Sequence, residues 1–372
     1  MYAKICVIFW LVLVAHCGLC AESILDTYNV GLQVSVQTDE DKQIKNCNNG
    51  NARSCYILGA FYDKQQDFKK SMKFYEKACK NDYADACVIL GIFYENGKGI
   101  KQDYKKAEKL YQKACASFDN GNVLSLYGCH NLGVLYKKAP SGIKQDLQAA
   151  NTLFAKACKT KDELQVPSNC SSCKATIDTM RTFGCMDLAY AYLNGIGIQQ
   201  DTQKALELWQ IACDNKDFKA CFNIAATYYN GEKTQNNLKQ AEKIWLETCE
   251  KGAADSCLGV ALLYTQNGTA PTKKAMPFLE KACNLGNANG CYNLGVVYHQ
   301  GEITPKNLKK ARALYELACN GGESFGCHNL ANIFDDENNY QAANELFYKA
   351  CDMGVNMACR NLGNSYRDGK GV

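Results

Sequence analysis

The residues with the most chemistry to offer in this 372-residue chain are its 23 cysteines. A thiolate can attack a carbonyl, hold a soft metal or exchange disulfides, and an oxidised pair can staple a backbone. Spacing separates these uses. Seven pairs stand eight residues apart: Cys47/Cys55, Cys79/Cys87, Cys213/Cys221, Cys249/Cys257, Cys283/Cys291, Cys319/Cys327 and Cys351/Cys359. Two are stretched, Cys115/Cys129 and Cys158/Cys185, and Cys170-Ser171-Ser172-Cys173 forms a Cys-x-x-Cys. A zinc site gathers four ligands at one point. Here the pairs are strung out, and beyond residue 21 the histidines are only His130, His299 and His328, so no metal is expected. Disulfides are expected within each of the nine pairs. If Cys158 bridges Cys185, then Cys170 and Cys173 are left to bridge each other. A redox role for that last pair is the alternative, but no βαβ pattern surrounds it, and a structural bridge in an exposed loop is favoured.

Serine chemistry finds less support. Penicillin-recognising enzymes place Ser-x-x-Lys at a helix start with Ser-Asp-Asn and Lys-Thr-Gly nearby. Two matches occur, Ser141-Gly142-Ile143-Lys144 and Ser171-Ser172-Cys173-Lys174. Both are expected in loops, and the companion motifs are absent. The catalytic residues stay unknown on this reading, and no cofactor is implied.

The compartment follows from the N-terminus. Lys4 precedes an apolar run of 11 residues, Ile5 to Ala15, and small residues lead to Glu22-Ser23. That pattern predicts a signal peptide over 1–21, cut near Cys20 or Ala21. A lipid anchor on Cys20 is the rival reading. The run is too short to span a bilayer comfortably. Its removal takes Cys6, Cys17 and Cys20 and leaves an even twenty cysteines. Export with an even count implies disulfides in an oxidising compartment, secreted or periplasmic. The net charge of +4 is mild and no basic block stands out. Neither nucleic acid nor an anionic membrane is therefore expected as partner; no membrane span is expected, and a monomer is.

The cysteines also mark the elements that carry them. Taking the second of each pair as an opening, units begin at 55, 87, 129, 185, 221, 257, 291, 327 and 359, after a capping segment over 22–54. Three residues on sits Leu, Ile or Val; four on sits Gly or Ala; seven on sits Tyr or Phe. Offsets of 0, 3, 4 and 7 share one helix face. Counting back from each closing cysteine, a small residue stands at eight (Ser71, Ala107, Ala150, Ala205) and a bulky one at four (Tyr75, Tyr111, Phe154, Trp209). That is a second helix stripe. Two-helix units of 32 to 56 residues, each burying its stripe only on its neighbours, read as an all-α solenoid. Between the helices, Gly97-Lys98-Gly99 and Gly195-Ile196-Gly197 read as helix closures, with Asp103 and Asp201 as N-caps of the second helix. No strand precedes them, so the dinucleotide reading lacks its context.

Leu-Gly-x-x-Tyr, Gly-x-Gly-Ile-x-x-Asp and Ala-x-x-x-Tyr-x-x-Ala-Cys together resemble the Sel1-like repeat, a relative of the tetratricopeptide repeat. The reiterated cysteine pair is similar to the Helicobacter cysteine-rich protein family, over 47–372. The resemblance implies a right-handed α/α superhelix. It also implies β-lactam binding or slow β-lactam hydrolysis, with a β-lactam or a peptidoglycan-like small molecule as ligand. The residues themselves point elsewhere. Two positions after the opening cysteine stand Asn131, Asp187, Asn223, Asn293, Asn329 and Asn361. They lie off the packing stripe, at a position that resembles the one where tetratricopeptide units place an Asn to hold a peptide backbone, and an amide both donates and accepts. The expected partner is then a peptide or protein segment, of host or cell-envelope origin, on the concave face. A cap or a bond between neighbouring repeats is the competing role. His130, His328 and Arg360, one position earlier, are expected near the same rim.

Overall fold

The computed structural model describes residues 40–117, 125–158, 171–231, 235–266 and 270–371. The expected signal peptide (1–21), most of the expected capping segment and the expected Cys170–Cys173 bridge lie outside the described residues, as do the side chains of 171–177. The chain divides into two units at Asp217/Phe218.

The N-terminal unit holds α1 (Glu40–Asn48), α2 (Ala52–Lys64), α3 (Phe68–Lys80), α4 (Ala84–Asn96), α5 (Tyr104–Ala116), α6 (Leu126–Lys138), α7 (Leu147–Ala157), α8 (Ser171–Asn194) and α9 (Thr202–Asp214). The C-terminal unit holds α10 (Phe218–Asn230), α11 (Gln235–Glu250), α12 (Ala254–Leu263), α13 (Met276–Asn284), α14 (Ala288–Gln300), α15 (Leu308–Asn320), α16 (Ser324–Asp336), α17 (Tyr340–Asp352) and α18 (Asn356–Arg367). From α2 onward even-numbered helices are the first (A) and odd-numbered the second (B) of each repeat. The architecture is thus all-helical and repetitive, apart from a two-residue ladder of β1 (Thr265–Gln266) with β2 (Ala270–Pro271). That ladder takes the place of the glycine loop in the sixth repeat.

The two stripes meet within each repeat. The opening-plus-four glycine faces the bulky residue four before the closing cysteine. A Cβ on Gly91 would lie 2.4 Å from the Tyr111 ring, and one on Gly59 2.6 Å from Tyr75. Both tyrosines are fully buried. The missing side chain is therefore what lets helices A and B approach. Cores of this kind run through each unit: Tyr75, Phe93 and Tyr111 in the N-terminal one, Trp245, Tyr315 and Phe347 in the C-terminal one.

Caps fix where the B helices start. Asp67, Asp103, Asp146, Asp201, Asn307 and Asn339 each accept a bond from the backbone N–H three residues on. Gly97 closes α4 in the left-handed conformation, φ 69°. The second glycine of the loop has a separate task. A Cβ on Gly99 would lie 2.4 Å from Phe68 Cβ, so that glycine seats the loop on the first residue of the preceding B helix. The Asn151 and Asn344 side chains donate to the carbonyls of Ile196 and Lys370 and hold two such loops in the same way.

Disulfides cross-link the junctions. Cys47–Cys55, Cys79–Cys87, Cys115–Cys129 and Cys158–Cys185 bridge in the N-terminal unit. Cys249–Cys257, Cys283–Cys291, Cys319–Cys327 and Cys351–Cys359 bridge in the C-terminal one. Cys213 and Cys221 are disulfide-bonded as well. Each short closed loop contributes about 2–3 kcal/mol in the chain-entropy account. Where the residue before the opening cysteine is glycine, it packs on the alanine before the closing one: a Cβ on Gly128 would stand 2.5 Å from Ala114 Cβ, and one on Gly326 2.6 Å from Ala318 Cβ.

One stretch departs from expectation. The insertion over 159–184 is not loop throughout, because residues from Ser171 continue into the A helix of the fourth repeat and make α8 24 residues long. Buried Met180 and Thr182 give the added turns a packing face. No described helix is long and apolar enough to cross a membrane.

Candidate functional site

The six candidate positions occupy the A helices, half-buried in every case. Asn131, Asn223, Asn293, Asn329 and Asn361 are each the sixth residue of their helix. The second turn is too far along for an N-cap. What remains is a bond within the helix, a bond to a neighbour, or a bond to something outside.

In the N-terminal unit three A-helix side chains converge. Asp187 of α8 receives Lys137 Nζ at 2.9 Å and lies 3.0 Å from His130 Nε2, both from α6. Burial by itself would push this carboxyl up. The bonds and charges of His130 and Lys137 outweigh it and hold Asp187 at about 2. Aromatic rings enclose the cluster: His130 stacks 5.7 Å from Phe154 and 5.9 Å from Phe183, and Lys137 lies 5.4 Å from the Tyr190 centroid. A shallow cleft with room for about one water lies beside it, lined by Lys137, Asn151, Phe154, Asp187, Tyr190 and Ile196. The carboxylate is thus committed to two partners of its own chain. Asn131, next to His130, is half-buried on α6.

The C-terminal unit carries a row of amides instead. Asn293 donates to its own helix at the Asn289 carbonyl, 2.8 Å away. Asn329 lies beside the hydroxyls of Tyr292 and Tyr315, and the Tyr315 hydroxyl is 3.3 Å from His299 Nδ1. Burial pushes the Tyr315 hydroxyl up to about 12, with Asn329 beside it pulling the other way. Asn361 Nδ2 donates to Asn332 Oδ1 at 3.3 Å, and Asn332 Nδ2 meets His328 Nε2 at 3.2 Å. With burial lowering its proton affinity, His328 is the acceptor in this chain. Its Nδ1 is then the proton-bearing atom and is buried without a partner among the described residues. Asn223, on α10, is half-buried, and its backbone carbonyl accepts from Thr227 Oγ1.

The rim expected from His130 and His328 is not formed. Both rings are buried, and His328 packs 5.8 Å from Phe347 as His130 packs on Phe154. The position after the opening cysteine turns toward the B helix, so imidazole serves there as a flat packing group. Arg360 alone of the three is exposed. Sequence reasoning missed Asn332 and Asn364, five residues past the opening cysteine. The signal was available: that position is apolar or small in the first two repeats (Ala60, Ile92) and turns to asparagine in the last two.

Catalytic constellations are sparse. Ser141 and Lys144 are exposed on the turn between α6 and α7, with buried Ile143 between them. The second match is not in a loop: Ser171 to Lys174 form the first turn of α8. No group of three or more His, Cys, Asp or Glu side chains that could hold a metal occurs among the described residues.

Comparison with known proteins places this geometry. The Sel1 repeat family profile matches nine segments: 52–83, 84–117, 126–159, 182–217, 218–252, 254–287, 288–323, 325–355 and 356–372. A stretch of 36 residues is 53% identical to HcpC, a Helicobacter pylori protein that carries a beta-lactamase name; it is 10% of this chain and covers only 12% of that relative. Among solved structures, a Sel1 repeat protein from Oxalobacter formigenes shares the fold with a TM-score of 0.63 and 19% identity, over 92% of this chain and 93% of that one. A protective antigen of uropathogenic Escherichia coli with the same class of fold matches at TM-score 0.45 and 23% identity, over 89% and 75% of the respective chains.

Proposed function

The chain belongs to the Sel1 repeat family, and from that premise we propose that it is an exported binding scaffold whose A-helix face holds an extended segment of a protein partner. The amide row of the C-terminal unit carries the reading: Asn293, Asn329, Asn332, Asn361 and Asn364 recur on successive A helices, where their groups can pair with a peptide backbone that repeats at its own fixed rise. The bonds Asn332 and Asn361 make to one another and to His328 hold their orientation before a ligand arrives, which lowers the ordering cost of binding. Export is supported by the buried junction disulfides, which persist in oxidising compartments, and by the signal-like segment at 1–21.

Panning a random 12-residue peptide library on the full chain tests this. Enriched peptides should lose about tenfold in affinity or more, as one or two lost backbone bonds would cause, when Asn293, Asn332 and Asn361 are replaced by Ala. Unchanged affinity would remove the groove. The β-lactam reading has the 36-residue likeness to HcpC behind it. Nitrocefin turnover by the pure protein above the buffer rate would revive it, and turnover at the buffer rate is expected.

A further inference from the structure

The B helices of the first two repeats carry charge in a pattern found in no other repeat. Helix α3 holds five lysines against one glutamate, and α5 holds four against one, with no arginine in either. Lys69, Lys73 and Lys77 stand four residues apart on one face of α3; Lys105, Lys109 and Lys113 do the same on α5, 36 residues later. All six are exposed.

The fold puts the two rows side by side. The loop before α5 sits on Phe68 at the start of α3, through Gly99. At the other end Lys113 Nζ reaches the Cys79 carbonyl at 2.8 Å. Helix α5 therefore runs alongside α3 in the same direction and in register, and Lys69/Lys105, Lys73/Lys109 and Lys77/Lys113 form three rungs. The nearby carboxylates are mostly engaged elsewhere. Asp67 and Asp103 pair with Lys70 and Lys106, Asp82 pairs with Lys113, and Glu108 lies beside the Tyr136 hydroxyl. Glu76 is the remaining acid on these two helices. Lys69, Lys73, Lys105 and Lys109 have no ion-pair partner among the described residues. Like charges at this spacing repel on a helix, so the arrangement favours an external polyanion. The other B helices break the pattern: α7 has Gln148, Thr152 and Lys156, and α9 has Gln203, Glu207 and Ile211. In the C-terminal unit α11 has Lys239, Lys243 and Glu247, and α15 has Lys309, Ala313 and Leu317.

We propose that the paired lysine rows of α3 and α5 bind a linear acidic polysaccharide, bearing sulfate or carboxylate groups, along the B-helix face. Lysine offers compact point charges suited to many spaced anions. Among the described residues the large exposed apolar side chains all lie from Leu285 onward, so the α3 and α5 face presents none to insert into a bilayer. It also lacks the arginines and exposed aromatic rings with which proteins read or stack on nucleic acid. This face is distinct from the A-helix amides and does not depend on the peptide reading.

Calorimetric titration of the full chain with a size-defined heparin oligosaccharide tests the proposal. Binding should appear at low ionic strength and weaken about tenfold or more by physiological salt, as screening of exposed charges requires. Changing Lys69, Lys73, Lys105 and Lys109 to Gln should cost about tenfold or more in affinity with the helical spectrum unchanged. Changing Lys239, Lys243, Lys309 and Lys310 to Gln should leave affinity within about twofold. The proposal is overturned by absence of heparin binding at low salt, by equal losses in the two quadruple variants, or by tighter binding of duplex DNA or of phosphatidylserine vesicles than of heparin under matched conditions.

Discussion

Replacing Asp187 with Asn keeps the shape of the side chain and removes its charge from between His130 and Lys137. Folding moves this carboxyl from its ordinary 3.8 down to about 2. At 1.36 kcal/mol per unit, ionisation of Asp187 stabilises the folded state by about 2 kcal/mol. The side chain is 20% exposed, so screening by water trims this only modestly. A depressed folded-state value means the stabilisation is complete above about pH 4 and is lost as pH falls through about 2. Asp187→Asn should therefore be about 2 kcal/mol less stable than the wild type at pH 7, and nearly equal to it at pH 2. Stacked repeats need not unfold in one step, so the readout should be local: native-state hydrogen exchange of the α6 and α8 amides at both pH values. Protection of those helices should fall in the variant at pH 7 and converge with the wild type in acid. A deficit of the same size at both pH values would assign the loss to packing, and no deficit at pH 7 would refute the ion-pair account.

Three further outcomes rest on other contacts. Gly91→Ala should lower stability by about 1–3 kcal/mol through overpacking against Tyr111, whereas Gly363→Ala, with nothing within 4 Å, should gain up to about 1 kcal/mol from helix propensity; thermal unfolding that shifts both the same way would contradict the close-approach argument. Asp103→Ala should cost about 1 kcal/mol by removing the cap bond to the Lys106 amide, seen as faster exchange in the first turn of α5. Burial raises Asp85 to about 6, so folding favours its neutral form and stability declines as pH climbs from about 4 to about 6. Asp85→Asn should accordingly be about 1–2 kcal/mol more stable than the wild type at pH 7, after allowance for its partial exposure, and equal to it near pH 3; urea midpoints at the two pH values would check this.

The repeat phase and the helix faces were legible because they are local. Stripes at offsets of 0, 3, 4 and 7, a cap three residues ahead of its donor and a closing glycine at φ 69° each need only a dozen neighbouring residues. The misses needed partners from distant sequence. Residues 171–184 carry no repeat motif, and they are helical where packing of Met180 and Thr182 rewards it. Gly99 looked like half of a loop motif, but its role is set by Phe68, 31 residues earlier. His130 looked like a rim residue because polarity suits a surface; the aromatic wall of Phe154 and the Asp187 carboxylate made it a core residue. Among the candidate groove positions, nothing in the pattern separated Asp187, spent on two partners of its own chain, from the asparagines.

What the amino-acid sequence determined alone was the repeat: where each unit begins, which faces of its helices are buried, and that cysteines stand at the junctions. Those features are encoded in periodicity, and periodicity survives without knowledge of what lies across the interface. What only the tertiary structure decided was which exposed charges and amides act together. Lysines 36 residues apart become rungs of one surface, and Asn332 and Asn361, 29 residues apart, become one hydrogen-bonded chain. The reason is geometric. Stacking converts a separation of one repeat into a lateral distance of one helix diameter, about 10 Å, and at that range charges and amides reinforce or satisfy one another in ways the linear order does not display.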